Sequence, residues 1–328
     1  MSGTDAPHVL VMGAGSVGCL VGGRLQAAGA RVSLIGRPRV LERLRTHGLH
    51  LTDLAHGDCR LPAASLQLST EVPADVRPDL VLLCVKSGAT EEAARTLGAC
   101  LPAGTLVLSL QNGLVNAERA QAAAPTLAVL PGMVPFNIAE IGPGHYHRGT
   151  AGDLAARDHP GLRGLTALFA NAGLPLALYA DLRKVQLGKL LLNLNNPVNA
   201  LSGLSLRAQL LDRSHRRTFA GLMHEALRLM RLDETEPARL TPLPWDVLIR
   251  VLRLPTPLFR LVANRMLKID PNARSSMADD LAAGRPTEID VLSGEVVRLA
   301  QRLGRRAPLN EAMVTRIRQA ERTRLSRT

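Results

Sequence analysis

The chain has 328 residues, about twice the span of one domain, with 46 % hydrophobic and 21 % charged residues. That composition excludes a disordered or low-complexity protein and leaves apolar side chains enough for two cores. The formal net charge of +12 raises nucleic acid as a partner, but one Trp, two Tyr and four Phe are too few for base-stacking platforms, so none is expected.

The basic residues are lopsided. Lys86, Lys184, Lys189 and Lys268 are the four lysines among 40 basic residues, so arginine dominates, most of it expected on solvated faces, and each lysine invites a reason. Cys19, Cys59, Cys84 and Cys100 form no CxxC pair and no metal-spaced cluster, which points to free thiols, no metal and a cytoplasmic chain. MSGTDAP at the start lacks the basic region of a secretory signal. No window reaches the ~18 uncharged apolar residues of a membrane span. The apolar stretch 243–267 is broken by Arg250, Arg253, Arg260, Arg265, Pro255 and Pro257, and reads as a helix pair packed on the rest of the protein.

In chain order, 8–12 is an apolar run ending in glycines, 16–28 has helical character, and 31–35 reads as a second strand. Further buried strands are expected at 80–85, 105–110 and 127–130, separated by helical segments such as 90–99, with antiparallel edge structure over 142–154. This alternation predicts an α/β fold with a doubly wound, mainly parallel sheet. Beyond 181 helical patterns take over, at 181–200, 207–232, 275–284 and 288–303. An all-helical C-terminal domain over 179–328 therefore follows an N-terminal domain over 1–178. The tail from Arg316 reads as a basic helix end.

VLVMGAGSVGCLVGGRL places Gly13, Gly15 and Gly18 between a strand and a helix. Bare glycines let a pyrophosphate approach the backbone, and the helix start at Ser16 and Val17 offers N–H donors and positive potential. This is the phosphate turn of a Rossmann-type domain. The second strand ends in RVSLIGRPR, without the carboxylate that would hold the ribose diol of NAD. Arg37, with Arg39 in the same cluster, suits a 2′-phosphate instead, which favours NADPH. Two more strand-end loops carry Lys86 (CVKS) and Asn112 (QNG), a cation and an amide at the edge where ligands bind in such sheets.

In GKLLLNLNNPVNALSG, Lys189, Asn193 and Asn196 fall on one stripe of an otherwise apolar helix. Such groups are costly to bury without polar partners, and the set suits a pocket for an anionic carbonyl substrate. A lysine there can have its pKa lowered and act as general acid. The plainer alternative is a solvated lysine, with Asn196 setting a turn before Pro197. RSSMADDLAAGRPTEID adds Ser276 and Glu288; by itself Glu288 reads as a helix-capping carboxylate.

Together GAGSVG, the arginine after the second strand, CVKS, QNG, KLLLN, SSM and TEID resemble the ketopantoate reductase family over nearly the whole length. The resemblance implies NADPH-dependent reduction of ketopantoate to pantoate in pantothenate synthesis, by a monomer or homodimer. It implies a phosphate turn at Gly13, Gly15, Ser16, Val17 and Gly18, a 2′-phosphate contact at Arg37, and cofactor- and substrate-side roles for Lys86 and Asn112. It makes Lys189 the catalytic lysine, Asn193 and Asn196 substrate-binding residues, and Ser276 and Glu288 the polar pair of the last helices, Glu288 assisting catalysis. Two departures stand out. The family's usual eight-residue step from this lysine to the Asn of an Asn-Pro pair is seven here, which leaves Asn195 competing with Asn196 for that role. The segment 235–270 is also longer than in short family members, and the same chemistry on another 2-oxo or 3-hydroxy acid is the alternative.

Overall fold

The computed structural model describes residues 6–53, 57–263 and 273–325. Lys268, the ends of the 243–267 and 235–270 stretches and the last residues of the basic tail lie outside them. The chain divides into two compact units, Met1–Leu182 and Arg183–Thr328.

The first unit runs β1 (His8–Met12), α1 (Ser16–Ala27), β2 (Arg31–Ile35), α2 (Pro38–His47), β3 (Leu49–Asp53), β4 (Cys59–Leu61), β5 (Gln67–Ser69), β6 (Leu80–Leu83) and α3 (Thr90–Cys100). It continues β7 (Leu106–Ser109), α4 (Asn116–Ala123), β8 (Ala128–Met133), β9 (Ile138–Gly142), β10 (His145–Arg148), β11 (Leu154–Arg157), α5 (Pro160–Arg163), α6 (Thr166–Asn171) and β12 (Leu176–Tyr179). An eight-stranded sheet has the order β12-β11-β8-β7-β6-β1-β2-β5. Its pairs are parallel except β8 with β11.

The central strands are apolar without alternation because both faces are covered. Val9 and Val11 of β1 join one core with Leu80 and Leu82, while Leu10 joins the other with Val81, Leu83 and Val107. Chain order reverses between β1 and β6, the switch point outside which doubly wound sheets bind ligands.

The expected edge structure at 142–154 is instead part of a second, four-stranded sheet, β4-β3-β10-β9. Helix α1 lies between the sheets. A Cβ on Gly22 would press on Val11 and Leu34 of the large sheet, and one on Gly23 on Leu51 and Leu49 of the small one. That explains a helix apolar all round.

The second unit comprises α7 (Arg183–Asn193), α8 (Asn195–Ser202), α9 (Leu206–Leu211), α10 (Arg213–Leu232), α11 (Trp245–Arg253), α12 (Thr256–Val262), α13 (Ser276–Ala282), α14 (Ser293–Arg302) and α15 (Pro308–Leu325). Two expected helices are split. The 181–200 helix breaks at Leu194, because Pro197 has no N–H for the Asn193 carbonyl and its ring crowds that oxygen. The 207–232 helix breaks at Asp212, whose Oδ1 accepts from Ser214 N and His215 N and so caps α10. The helix expected over 288–303 begins only at Ser293, after a 3₁₀ turn at Ile289–Val291.

Helix α10 is the hub of this unit. The buried Glu225 carboxylate on it accepts from Leu309 N, Asn310 N and Asn310 Nδ2, holding the start of α15. Helix α11 packs its buried face, Trp245, Leu248, Ile249 and Leu252, in this unit.

Three arginines depart from the solvated faces expected of them. Arg216, fully buried, donates to the carbonyls of Leu210, Leu252 and Leu254 and lies 4.2 Å from the Phe259 ring centre. Arg148 likewise donates to the carbonyls of Thr150, Gly152 and Gly173 over the Phe136 ring. Arg24 bridges Asp53 and the Gly57 carbonyl. A guanidinium has enough donors to close several irregular chain ends at once.

Candidate active site

At the carboxyl end of β1 the chain turns sharply, with Gly13 at φ +114° and both Gly13 N and Ala14 N donating to Ile35 O. A Cβ at Gly13 would sit 2.6 Å from Val85 N, and one at Gly18 would collide with the Gly13 carbonyl. Side chains are excluded at both places by backbone. Gly15 differs: it is exposed, with nothing within 4 Å of where its Cβ would be.

The first-turn N–H groups of α1, on Ser16, Val17 and Gly18, have no intrahelical acceptor, and no side chain caps the helix. Open backbone donors at a helix start fit a pyrophosphate. At the end of β2, the exposed Arg37 and Arg39 flank Pro38 at the start of α2, and no carboxylate stands at this strand end. A Cβ at Gly36 would lie 2.8 Å from the Ala14 Cβ, so the arginine-bearing turn starts against the glycine turn. These residues fit a dinucleotide carrying a 2′-phosphate.

Lys86 is exposed just past β6, and Asn112 is half-buried just past β7. The turn thus faces the Val85–Lys86 loop, and β6 pairs with β7, so the first-unit set shares one sheet edge. Beneath these loops lies a buried polar group that motif reading passed over: Thr90, Gln111 and Asn116. Only Gln111, inside the QNG motif, carried any local signal.

In the second unit, Lys189 is half-buried on α7, and burial pushes its pKa down to about 8. Asn193 ends that helix, buried. Asn195 and Gln209 exchange two buried side-chain hydrogen bonds, of 3.1 and 3.0 Å. The Asn195 amide is thereby committed to packing, while the Asn196 side chain stays half-buried.

Helix α13 is fastened to α8: Asn199 Oδ1 accepts from Ser275 N at 2.9 Å, and Ser275 Oγ donates to the Asn196 carbonyl at 3.2 Å. Ser275 also caps α13, accepting from Ala278 N, which leaves Ser276 exposed on the first turn. Glu288 is half-buried and makes no capping hydrogen bond to the turn it precedes. Thr287 serves there, its Oγ1 accepting from Ile289 N, so the capping alternative for Glu288 does not describe the structure. Among the described residues no cluster of three His, Cys, Asp or Glu side chains is arranged to hold a metal ion, and no helix is long and apolar enough to cross a membrane.

Comparison with known proteins covers both units. A family model described as ketopantoate reductase PanE/ApbA matches residues 9–161, and one described as its C-terminal part matches 181–321. A 2-dehydropantoate 2-reductase of Halobacterium salinarum is 30 % identical, aligned over 96 % of this chain and 99 % of the relative. The crystal structure of a PanE/ApbA family ketopantoate reductase from Ralstonia eutropha superposes with TM-score 0.80 at 31 % identity, covering 96 % of this chain and 99 % of that one. A D-mandelate dehydrogenase solved with NADH and anilino(oxo)acetate shares the fold, with TM-score 0.78 at 18 % identity over 96 % of this chain and 99 % of that one.

Proposed function

The chain belongs to the ketopantoate reductase family, and on that premise we propose how its own residues reduce 2-dehydropantoate to pantoate. It is an NADPH-dependent oxidoreductase acting on CH–OH groups and serves pantothenate synthesis. When bound, NADPH supplies the hydride that reduces the C2 ketone.

Gly13, Gly15, Ser16, Val17 and Gly18 hold the pyrophosphate, Arg37 the 2′-phosphate, and Lys86 and Asn112 the cofactor beyond it, with Asn112 also reaching substrate. Lys189 Nζ gives its proton to the carbonyl oxygen as negative charge develops there. Asn193, Asn196 and Ser276 hydrogen-bond the substrate, and Glu288 holds the substrate hydroxyl or orients the lysine.

Lys189 is the observation that carries this reading. A solvated lysine near its ordinary value is a poor acid at neutral pH, whereas one held near 8 gives up its proton readily yet carries it below that pH. A steady-state screen of 2-oxo acids with NADPH and NADH tests the reading. Ketopantoate with NADPH should give the highest kcat/KM.

A second reading, the same reduction of a different 2-oxo or 3-hydroxy acid, rests on the seven-residue step from Lys189 to Asn196. Preference for another acid in the screen selects it. We further place the chain in the cytoplasm as a monomer or homodimer, which sedimentation of the purified protein distinguishes.

A further inference from the structure

The loops carrying Lys86 and Asn112 are joined from below by a set of buried hydrogen bonds. Gln111 Nε2 donates to the Val85 carbonyl at 2.9 Å and to Thr90 Oγ1 at 2.7 Å, while its Oε1 accepts from Ser109 Oγ at 3.0 Å. Thr90 Oγ1 has one proton to share between Ser87 O at 2.9 Å and Asn116 Oδ1 at 3.3 Å. Asn116 Nδ2 donates to Ser87 Oγ at 3.0 Å and to the Asn112 carbonyl at 2.6 Å. Thr90, Gln111 and Asn116 are all buried.

The network grips backbone at three places, the peptide entering Lys86, the Ser87 carbonyl just past it and the carbonyl of Asn112 itself. Apolar residues would close the space under two loops at less desolvation cost. A polar network adds directional geometry, since each hydrogen bond restricts the rotamers of its members.

We propose that Thr90, Gln111 and Asn116 are positioning residues that lock the Lys86 and Asn112 loops into one rim for the nicotinamide cofactor and thereby set its affinity. The inference rests on the reading of Lys86 and Asn112 as cofactor-side residues. It extends that reading to residues that touch no ligand.

Thr90→Val keeps the shape but removes both the acceptor for Gln111 and the donated proton. NADPH fluorescence titration and steady-state kinetics of the full chain should show Kd and KM for NADPH raised about tenfold, with kcat within about twofold. Thr90→Ser, which restores the hydroxyl, should return both to within about twofold of wild type.

In a Lys86→Ala, Asn112→Ala background, Thr90→Val should weaken NADPH binding no further, because the network acts through the residues already removed. Should Thr90→Val not fold, Asn116→Ser, which cuts the bond to the Asn112 carbonyl, carries the same expectations.

Unchanged NADPH affinity in Thr90→Val, with a lowered Tm alone, overturns the positioning role, as does a loss that adds in full to that of the double variant. The premise fails by a different result: the Lys86→Ala, Asn112→Ala chain binding NADPH as tightly as wild type.

Discussion

The candidate residues of the two units are made of different materials. In the first, the proposed set includes backbone, a glycine turn at φ +114° and helix-start N–H groups, beside Arg37, Lys86 and Asn112, the last two on loops pinned by buried amides. In the second, the proposed residues are side chains, and Lys189 owes its lowered pKa to burial. Backbone donors have fixed chemistry and gain specificity from shape. A side-chain acid has adjustable chemistry and gains it from its surroundings. On the proposed reading, binding by geometry and reaction by tuned charge are kept on separate pieces of chain.

Lys189→Met tests this division most severely. It should lower kcat about a thousandfold, within the range of a lost general acid, while NADPH affinity measured by fluorescence titration stays within about twofold. A variant retaining a tenth of wild-type kcat breaks the division on the reaction side. On the binding side, Gly18→Ala drives a Cβ into the Gly13 carbonyl. NADPH binding should weaken about a hundredfold through displacement of the phosphate turn, read by the same titration alongside circular dichroism to confirm folding.

The pH profile sharpens the contrast. Reduction needs Lys189 protonated, and its pKa lies near 8 in the folded chain. Reductive kcat/KM should therefore be flat below pH 8 and fall about tenfold per unit above it. Oxidation of the alcohol, which needs the neutral amine, should rise over the same window. NADPH affinity should not share this transition, and if it does the two functions are not separable.

The smallest effect belongs to Arg37→Ala. It should weaken NADPH about tenfold, a charge-assisted contact's share, and leave NADH unchanged. Equal losses for both cofactors would remove Arg37 from the 2′-phosphate role.

The two units also differ in how much of them could be read from sequence. Strands β1 and β2 were legible to the residue, His8–Met12 and Arg31–Ile35, because short, mainly apolar runs that stop at a glycine leave few alternatives. The small sheet was not. Leu49 and Leu51 alternate with His50 and Thr52, a fair strand signal, but the partner that makes it a sheet is His145–Arg148, nearly a hundred residues on. Lys189, Asn193 and Asn196 stood out as polar groups in an apolar helix. The helical stripe and the Asn-Pro step favoured Asn196 over Asn195, but that Gln209 reaches Asn195 from another helix was not legible.

Sequence by itself determined the features that depend on local sterics and solvation: the glycine turn, the missing carboxylate after β2, the rare lysine among leucines. Tertiary structure alone decided what distant segments do to one another. It buried Arg216 among three carbonyls, committed Asn195 to packing, and gathered Thr90, Gln111 and Asn116 beneath two loops. A hydrogen bond depends on the final placement of both partners, and no local pattern encodes the partner's address.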